Sequence, residues 1–128
     1  MVIRESAEDY LEAILIIGKE KGKVRSIDVA KYLGITKPSV SVAMKNLRNE
    51  GFIDVDEKGL LSLLPPGEEI ANKTYEKHVT LRDMLISLGV NRETATLDAC
   101  RMEHVISKQT FESIRKQLKD EDKERIVR

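Results

Sequence analysis

The sequence predicts a mostly α-helical fold in which a short β-hairpin separates an N-terminal helical region from a second, all-helical region. Of its 128 residues, 41% are hydrophobic and 34% are charged, as in ordinary globular domains. There is no Trp and there are only three Tyr and two Phe, so the core must consist mainly of Leu, Ile and Val. Apolar residues recur at helical spacing through most of the chain, whereas residues 52–56 and 60–64 change to the pattern of two strands.

The first helix is predicted to begin with Ser6 as its N-cap and to end near Gly18. Asp9 and Glu12 lie one helical turn apart beside its apolar stripe. An isolated acidic pair near a helix start most often only favours the helix dipole and contacts water. The apolar stripe itself consists of Ala7, Tyr10, Leu11, Ile14, Leu15 and Ile17.

Residues 25–47 have the pattern of a helix-turn-helix. Ser26 is predicted to cap a short helix, Gly34 to supply the turn, and Thr36 to cap the following helix. Pro38 falls in the first turn of this second helix, where its missing N–H is tolerated. The hairpin that follows would then be the wing of a winged helix-turn-helix.

Basic residues surround this predicted motif. From Lys19 to Arg48 the chain carries eight Lys or Arg against two acids, although its net charge is zero. This local excess is expected to attract phosphate, so we predict binding of double-stranded operator DNA. The alternative is an ordinary helical hairpin with a solvated basic face. The expected DNA-contacting residues are Arg25, Thr36, Lys37, Pro38, Ser39, Ser41, Val42, Lys45 and, at the tip of the wing, Lys58.

The second region is predicted to be a helical metal-binding and dimerisation domain. Pro65-Pro66-Gly67 is expected to act as a hinge, which divides the chain into domains 1–66 and 67–128. Three short helices with apolar faces cannot bury all of those faces alone, so we expect a homodimer. The predicted helices are Glu68–Leu88, a helix capped by Asn91 that carries Cys100, and Ser107–Leu118.

A candidate metal site begins with Cys100, Glu103 and His104, which stand at i, i+3 and i+4 and would share one face of a helix. Thiolate, carboxylate and imidazole all bind transition metals, but three ligands rarely complete a coordination sphere. His78 alone would more often be an ordinary core or surface histidine. The candidate ligands are therefore Asp9, Glu12, His78, Cys100, Glu103 and His104, for one or two metal ions per subunit.

Four segments together resemble the diphtheria-toxin-repressor and manganese-transport-regulator family of metal-dependent transcriptional repressors. They are Glu8-Asp9-Tyr10-Leu11-Glu12, Lys37-Pro38-Ser39-Val40-Ser41, Lys77-His78 and Ala99-Cys100-Arg101-Met102-Glu103-His104-Val105-Ile106-Ser107. The resemblance implies a homodimer that binds operator DNA when loaded with Mn²⁺ or Fe²⁺ and represses metal-uptake genes. Carried over residue by residue, the ligands of that family fall on the same six side chains.

The ligand set is a hybrid of the two branches of that family. Manganese-type members resemble this chain in having an acid at Asp9, but usually carry a carboxylate where it has Cys100. Iron-type members usually carry Met at the position of Asp9 and Cys at the position of Cys100. Arg82 and Thr96 stand where iron-type members place ligands of an ancillary metal site. Carboxylates suit Mn²⁺ and Fe²⁺, whereas a thiolate favours Zn²⁺ or Co²⁺, which we expect to bind in vitro.

The main alternative function is a winged-helix redox sensor in which Cys100, close to Arg101 and His104 in sequence, acts as a thiol switch. An enzyme is not expected, because no separate general base, nucleophile or substrate-pocket signal is present. The single cysteine and the absence of a signal or transmembrane segment favour a reducing, cytoplasmic location. Neither a membrane nor a small organic substrate is an expected partner.

Overall fold

The computed structural model describes the backbone of residues 2–127 and the side chains of residues 7–119. Within that part of the chain it contains six helices and one antiparallel two-stranded sheet, which confirms the predicted fold class. The elements in chain order are α1 (Val2–Lys21), α2 (Ser26–Leu33), α3 (Lys37–Asn49), β1 (Ile53–Val55), β2 (Leu61–Leu63), α4 (Pro65–Ser87), α5 (Arg92–Met102) and α6 (Lys108–Val127).

The chain divides into two compact units, which we call the N-terminal unit (residues 1–74) and the C-terminal unit (residues 75–128). This division falls within α4, whereas the domain boundary at residues 66 and 67 stays a prediction from sequence. In the N-terminal unit, α1 packs against α2, α3 and β2, and α3 packs against β1. Its core is aliphatic, as the composition predicts, and the largest fully buried side chains there are Leu11, Val29, Val40 and Ile53.

The helix-turn-helix is built by local signals that the sequence displays. Gly34 ends α2 with φ 67°, a left-handed conformation that glycine adopts without steric cost. Thr36 caps α3, because its side-chain oxygen accepts a hydrogen bond from the N–H of Ser39 at 3.4 Å. Pro38 lies in the first turn of α3, and Val40 and Met44 form part of its buried stripe. The predicted turn, cap and inner face are therefore confirmed.

Two predicted helix starts are wrong. The first helix begins at Val2, so Ser6 lies inside it; the Ser6 side chain is outside the described side chains. Ser26 is the first residue of α2, and the cap is Arg25, whose backbone N–H donates to the Asp28 carboxylate at 2.9 Å. Because Asp28 satisfies the helix start from inside the first turn, no hydroxyl cap is required.

The wing is a short hairpin in which Ile53 pairs with Leu63 and Val55 pairs with Leu61. Its turn is closed by Asp56, whose Oδ1 accepts hydrogen bonds from the N–H groups of Lys58 and Leu60 at 2.9 and 2.8 Å. The predicted hairpin is therefore confirmed, with each strand one residue shorter at both ends.

The segment Pro65-Pro66-Gly67 forms the first turn of α4, so this helix begins at Pro65 and not at Glu68 as predicted. Proline is tolerated there, since the first N–H groups of a helix have no partner inside the helix. Gly67 has a packing role instead: a Cβ atom at this position would lie 2.1 Å from the carbonyl oxygen of Phe52. The chain therefore passes from the wing directly into α4.

The C-terminal unit comprises the rest of α4 together with α5 and α6. Asn91 caps α5 as predicted, and its side-chain oxygen accepts from the N–H of Thr94 at 2.8 Å. Leu81, Ala95 and Ala99 are fully buried. Arg115 of α6 joins this helix to α4 through an ion pair with Glu76 at 2.8 Å.

Candidate metal centre and nucleic-acid interface

Glu103 is the centre of the candidate metal site. It follows the last residue of α5, and its side chain is fully buried. One carboxylate oxygen, Oε2, lies 3.3 Å from Nδ1 of His78 on α4. The other, Oε1, lies 3.3 Å from Nε2 of His104 in the turn after α5. A carboxylate thus stands between two imidazoles, all three of them ligand types for divalent transition metals.

The hydrogen bonding of this cluster is incomplete among the described side chains. Neither oxygen of Glu103 accepts a hydrogen bond there, and Nδ1 of His78 also has no hydrogen-bond partner. Leaving a buried carboxylate without donors costs free energy, more than for a neutral group. A buried carboxylate without a hydrogen-bond donor, flanked by two imidazole nitrogens, fits a cation, which would remove that cost.

Cys100 lies next to this cluster. Its Sγ is within 4.8 Å of a carboxylate oxygen of Glu103, and the residue as a whole is exposed. The predicted single helical face needs correction, because α5 ends at Met102 and His104 lies in a turn. Glu103 nevertheless keeps helical dihedrals, φ −60° and ψ −24°, which leave its side chain on the side of Cys100.

Asp9 and Glu12 belong to α1 in the N-terminal unit. Because α1 begins at Val2, these acids lie in its second and third turns, beyond the reach of the N-terminal dipole. Asp9 is half-buried, and Glu12 is only 6% exposed. The interpretation of the pair as solvated first-turn acids is therefore wrong. Their assignment as metal ligands stays a prediction from sequence, as do those of the other four residues.

The two residues at positions of ancillary ligands in iron-type members take part in local bonds. Nε of Arg82 lies 3.2 Å from Oδ1 of Asp83. The hydroxyl of Thr96 donates to the carbonyl oxygen of Arg92 at 2.7 Å, one turn earlier in α5. An arginine offers no lone pair to a metal, so this pair does not form an iron-type ancillary site.

The nine predicted DNA-contacting residues are all exposed and all belong to the N-terminal unit. Val42, on the outer side of α3, is 62% exposed, so its side chain is accessible to an apolar group of DNA such as a thymine methyl. Thr36 and Ser39 also hydrogen-bond each other at 2.9 Å, so part of their polarity already serves the helix cap. The exposed face of α3 is therefore compatible with the predicted interface, and the individual contacts stay predictions.

Sequence reasoning did not identify Tyr32 as part of this surface. The ring stands on α2 and is 50% exposed. Tyr32 follows Ala30 by two residues and precedes Leu33 by one, so it cannot lie on the buried stripe of α2. That spacing alone would have predicted an exposed ring. Tyr32 is therefore a half-exposed aromatic residue on the surface of the helix-turn-helix.

Comparison with known proteins decides the family. Residues 3–61 match the N-terminal DNA binding domain of the iron dependent repressors, and residues 65–124 match their metal binding and dimerisation domain. The chain belongs to the iron-dependent repressor family. This family comprises metal-dependent transcriptional repressors, so the resemblance inferred from the sequence and the regulatory function it implied are confirmed at the level of the family.

Individual relatives agree with this assignment. The chain is 36% identical over 110 residues to the transcriptional regulator MntR of Salmonella typhimurium, covering 86% of this chain and 70% of that protein. It is 32% identical over 113 residues to an uncharacterized HTH-type transcriptional regulator of Methanocaldococcus jannaschii, covering 87% and 90%. The solved manganese regulator SloR has a TM-score of 0.77 at 25% identity, over 88% of this chain and 53% of SloR. The chain thus spans about half the length of that solved relative.

Other predicted functions receive less support. The relatives are transcriptional regulators, a class of protein distinct from enzymes. Neither the family matches nor the relatives support the interpretation of Cys100 as a thiol switch. Among the described residues, no helix is both long enough and apolar enough to cross a membrane.

Proposed function

We propose that this chain is a metal-activated repressor that binds operator DNA as a homodimer and controls genes for metal uptake. The observation that carries the proposal is the cluster in which His78 and His104 flank the buried carboxylate of Glu103. Its carboxylate has no hydrogen-bond donor among the described side chains, and it lies within the segment that matches a metal binding and dimerisation domain.

The metal would be held by the cluster together with Cys100, and by Asp9 and Glu12. The four residues from His78 to His104 are supported by their proximity in the C-terminal unit. The two acids of α1 are proposed from their ligand chemistry and from the resemblance to the family. When bound, a divalent cation would supply the positive charge that the carboxylates lack.

We propose Mn²⁺ or Fe²⁺ as the physiological metal, one or two ions per subunit. Carboxylate and imidazole ligands suit both ions, and the related SloR is a manganese regulator. The thiol of Cys100 would increase the affinity for Zn²⁺ and Co²⁺ in vitro. Selection among these ions must then come from coordination geometry and from metal supply rather than from affinity alone.

Homodimerisation is supported by apolar surface on the C-terminal unit. Leu88, Leu97 and Val105 are between 60% and 76% exposed. A groove of about 310 Å³ between α4 and α6 has Met84 and Ile114 among its lining residues. Exposed apolar area of this kind is typical of a protein-protein interface. A two-fold dimer would present two copies of α3 to the half-sites of a palindromic operator.

Fluorescence anisotropy of a labelled promoter fragment from upstream of the chain's own gene tests this function. We expect weak binding in chelator and binding tighter by about 5- to 150-fold when Mn²⁺ or Fe²⁺ is added anaerobically. The variant His104→Ala should lose the metal response and keep the weak metal-free binding, since α3 is unchanged.

The variant Glu93→Gln is the matched control for Glu103→Gln. Both substitutions remove one carboxylate from α5 or its C-terminal end, but Glu93 is exposed in the first turn. We expect full metal activation in Glu93→Gln and none in Glu103→Gln. Equal activation in the two variants, or equal binding with chelator and with every metal, would contradict the proposed function.

A further inference from the structure

The wing is joined to the start of α2 by a long-range side-chain hydrogen bond in addition to backbone pairing. Nη1 of Arg25 donates to the carbonyl oxygen of Lys58 at 2.7 Å, across 33 positions of sequence. Both residues belong to the N-terminal unit. The acceptor is the carbonyl at the tip of the wing, one residue before Gly59, so the contact fixes the part of the hairpin farthest from the core.

The base of this contact is held firmly. The backbone of Arg25 forms a β-bridge with Leu60, and its N–H donates to the Asp28 carboxylate at 2.9 Å. Asp28 also pairs with Lys21 at the end of α1, at 3.2 Å. The guanidinium therefore extends towards the wing from a backbone that is anchored on α1 and α2.

The guanidinium lies beside the turn. Gly59 has φ 80°, and a Cβ atom there would lie 3.8 Å from Nη1 of Arg25. The N–H groups of Lys58 and Leu60 are both bound to Asp56, so the turn is closed on its own. What Arg25 adds is the orientation of this closed turn relative to α2.

We infer that Arg25 is a positioning residue for the wing, which orients Lys58 towards the DNA backbone instead of contacting phosphate as an independent cation. The inference rests on the proposed operator binding and revises the role predicted for Arg25 from sequence. Its physical basis is that a charged donor makes a stronger hydrogen bond than a neutral one, and that the planar guanidinium holds a fixed direction.

Charge in the wing explains why its orientation matters. Asp54, Asp56 and Glu57 are all exposed, and Lys58 is the single cation among residues 52–60. A wing tip that moved relative to α2 would present three acids to the phosphates as readily as one lysine. Holding the Lys58 carbonyl against α2 restricts the directions that its side chain can take, and so the wing attracts DNA only in the fixed orientation.

The first test measures the wing in the metal-free, DNA-free protein. We expect the ¹⁵N order parameters of Lys58 and Gly59 to be lower in Arg25→Ala than in the wild type, because the closed turn can then move as a unit relative to α2. The matched control Arg48→Ala removes an exposed cation of α3 from the same basic segment and should leave both values unchanged. Unchanged order parameters in Arg25→Ala would overturn the inference.

The second test is a double-mutant cycle of Arg25→Ala and Lys58→Ala on the salt dependence of operator binding. Each single variant should reduce the slope of log K against log salt by about one, and the double variant also by about one. A reduction by about two would mean that the two cations act independently, which overturns the inference. If the wild-type chain binds no DNA, the proposed function fails, while the order parameters still decide whether Arg25 positions the wing.

Discussion

Replacing Glu103 by Gln should stabilise this protein in chelator and remove most of its stabilisation by metal. The carboxylate is fully buried, lies 3.3 Å from a nitrogen of each neighbouring imidazole, and accepts no hydrogen bond from the described side chains. A carboxamide has almost the same volume and carries no charge. Its NH₂ group can also donate to an imidazole nitrogen. In chelator, therefore, Glu103→Gln should be more stable than the wild type.

The magnitude follows from the burial of the group. Relieving one buried, unsatisfied polar group is worth about 1–3 kcal/mol. Metal at about one hundred times its dissociation constant stabilises the wild type by about 2.7 kcal/mol. For a chain of 128 residues this corresponds to a rise in melting temperature of about 10 °C. The variant should gain less than about 2 °C, because a neutral amide is a poor ligand for these ions.

Differential scanning calorimetry in chelator and then in Mn²⁺ measures both effects. We expect the variant to melt above the wild type in chelator, and Mn²⁺ to raise the melting temperature of the wild type by about 8 °C more than that of the variant. The control Glu93→Gln, on the exposed start of α5, should follow the wild type in both conditions. A metal-induced rise in Glu103→Gln as large as that of the wild type would refute the role of this carboxylate.

Three further substitutions test the N-terminal unit. Gly67→Ala places a Cβ atom 2.1 Å from the carbonyl oxygen of Phe52 and should cost more than about 2 kcal/mol in urea denaturation. A hydrogen bond from the backbone N–H of Arg25 lowers the pKa of Asp28 below its ordinary value of 3.8, so the ionised carboxylate stabilises the folded state. The wild type should lose this stabilisation as the pH falls below about 4, whereas Asp28→Asn lacks it at every pH. Parallel acid-denaturation curves for the two proteins would contradict this prediction. Lys45→Ala, on the exposed face of α3, should weaken binding to all DNA sequences alike and reduce the salt slope by about one, and a change in sequence preference instead would assign Lys45 to base contacts.

The sequence predicted those features that depend on neighbouring residues. Gly34, Thr36 and Pro38 act within one turn of their own position, so their types alone were enough to place the helix-turn-helix. The same local reasoning failed for Ser6, because a residue that is favourable at a helix start does not by itself say where the helix starts. It failed for Pro65-Pro66 because proline serves both as a helix breaker and as a first-turn residue.

The candidate site was predictable in its residue types and not in its environment. The spacing of Cys100 and Glu103 identified them as a possible ligand pair from one helix. Nothing local indicates that Glu103 is fully buried or that His78 lies 3.3 Å from it, because both facts depend on how α4 packs beside the end of α5. The role inferred for Arg25 has the same origin, since its partner Lys58 is 33 residues away.

Reciprocal linkage between metal and DNA tests the central claim most directly. Mn²⁺ affinity would be measured by electron paramagnetic resonance of the free ion, with and without saturating operator DNA, and operator affinity with and without Mn²⁺. A metal-activated repressor must show the same factor in both experiments, which we expect to lie between about 5 and 150. A Mn²⁺ affinity that operator DNA leaves unchanged would contradict the account, even if both ligands bind.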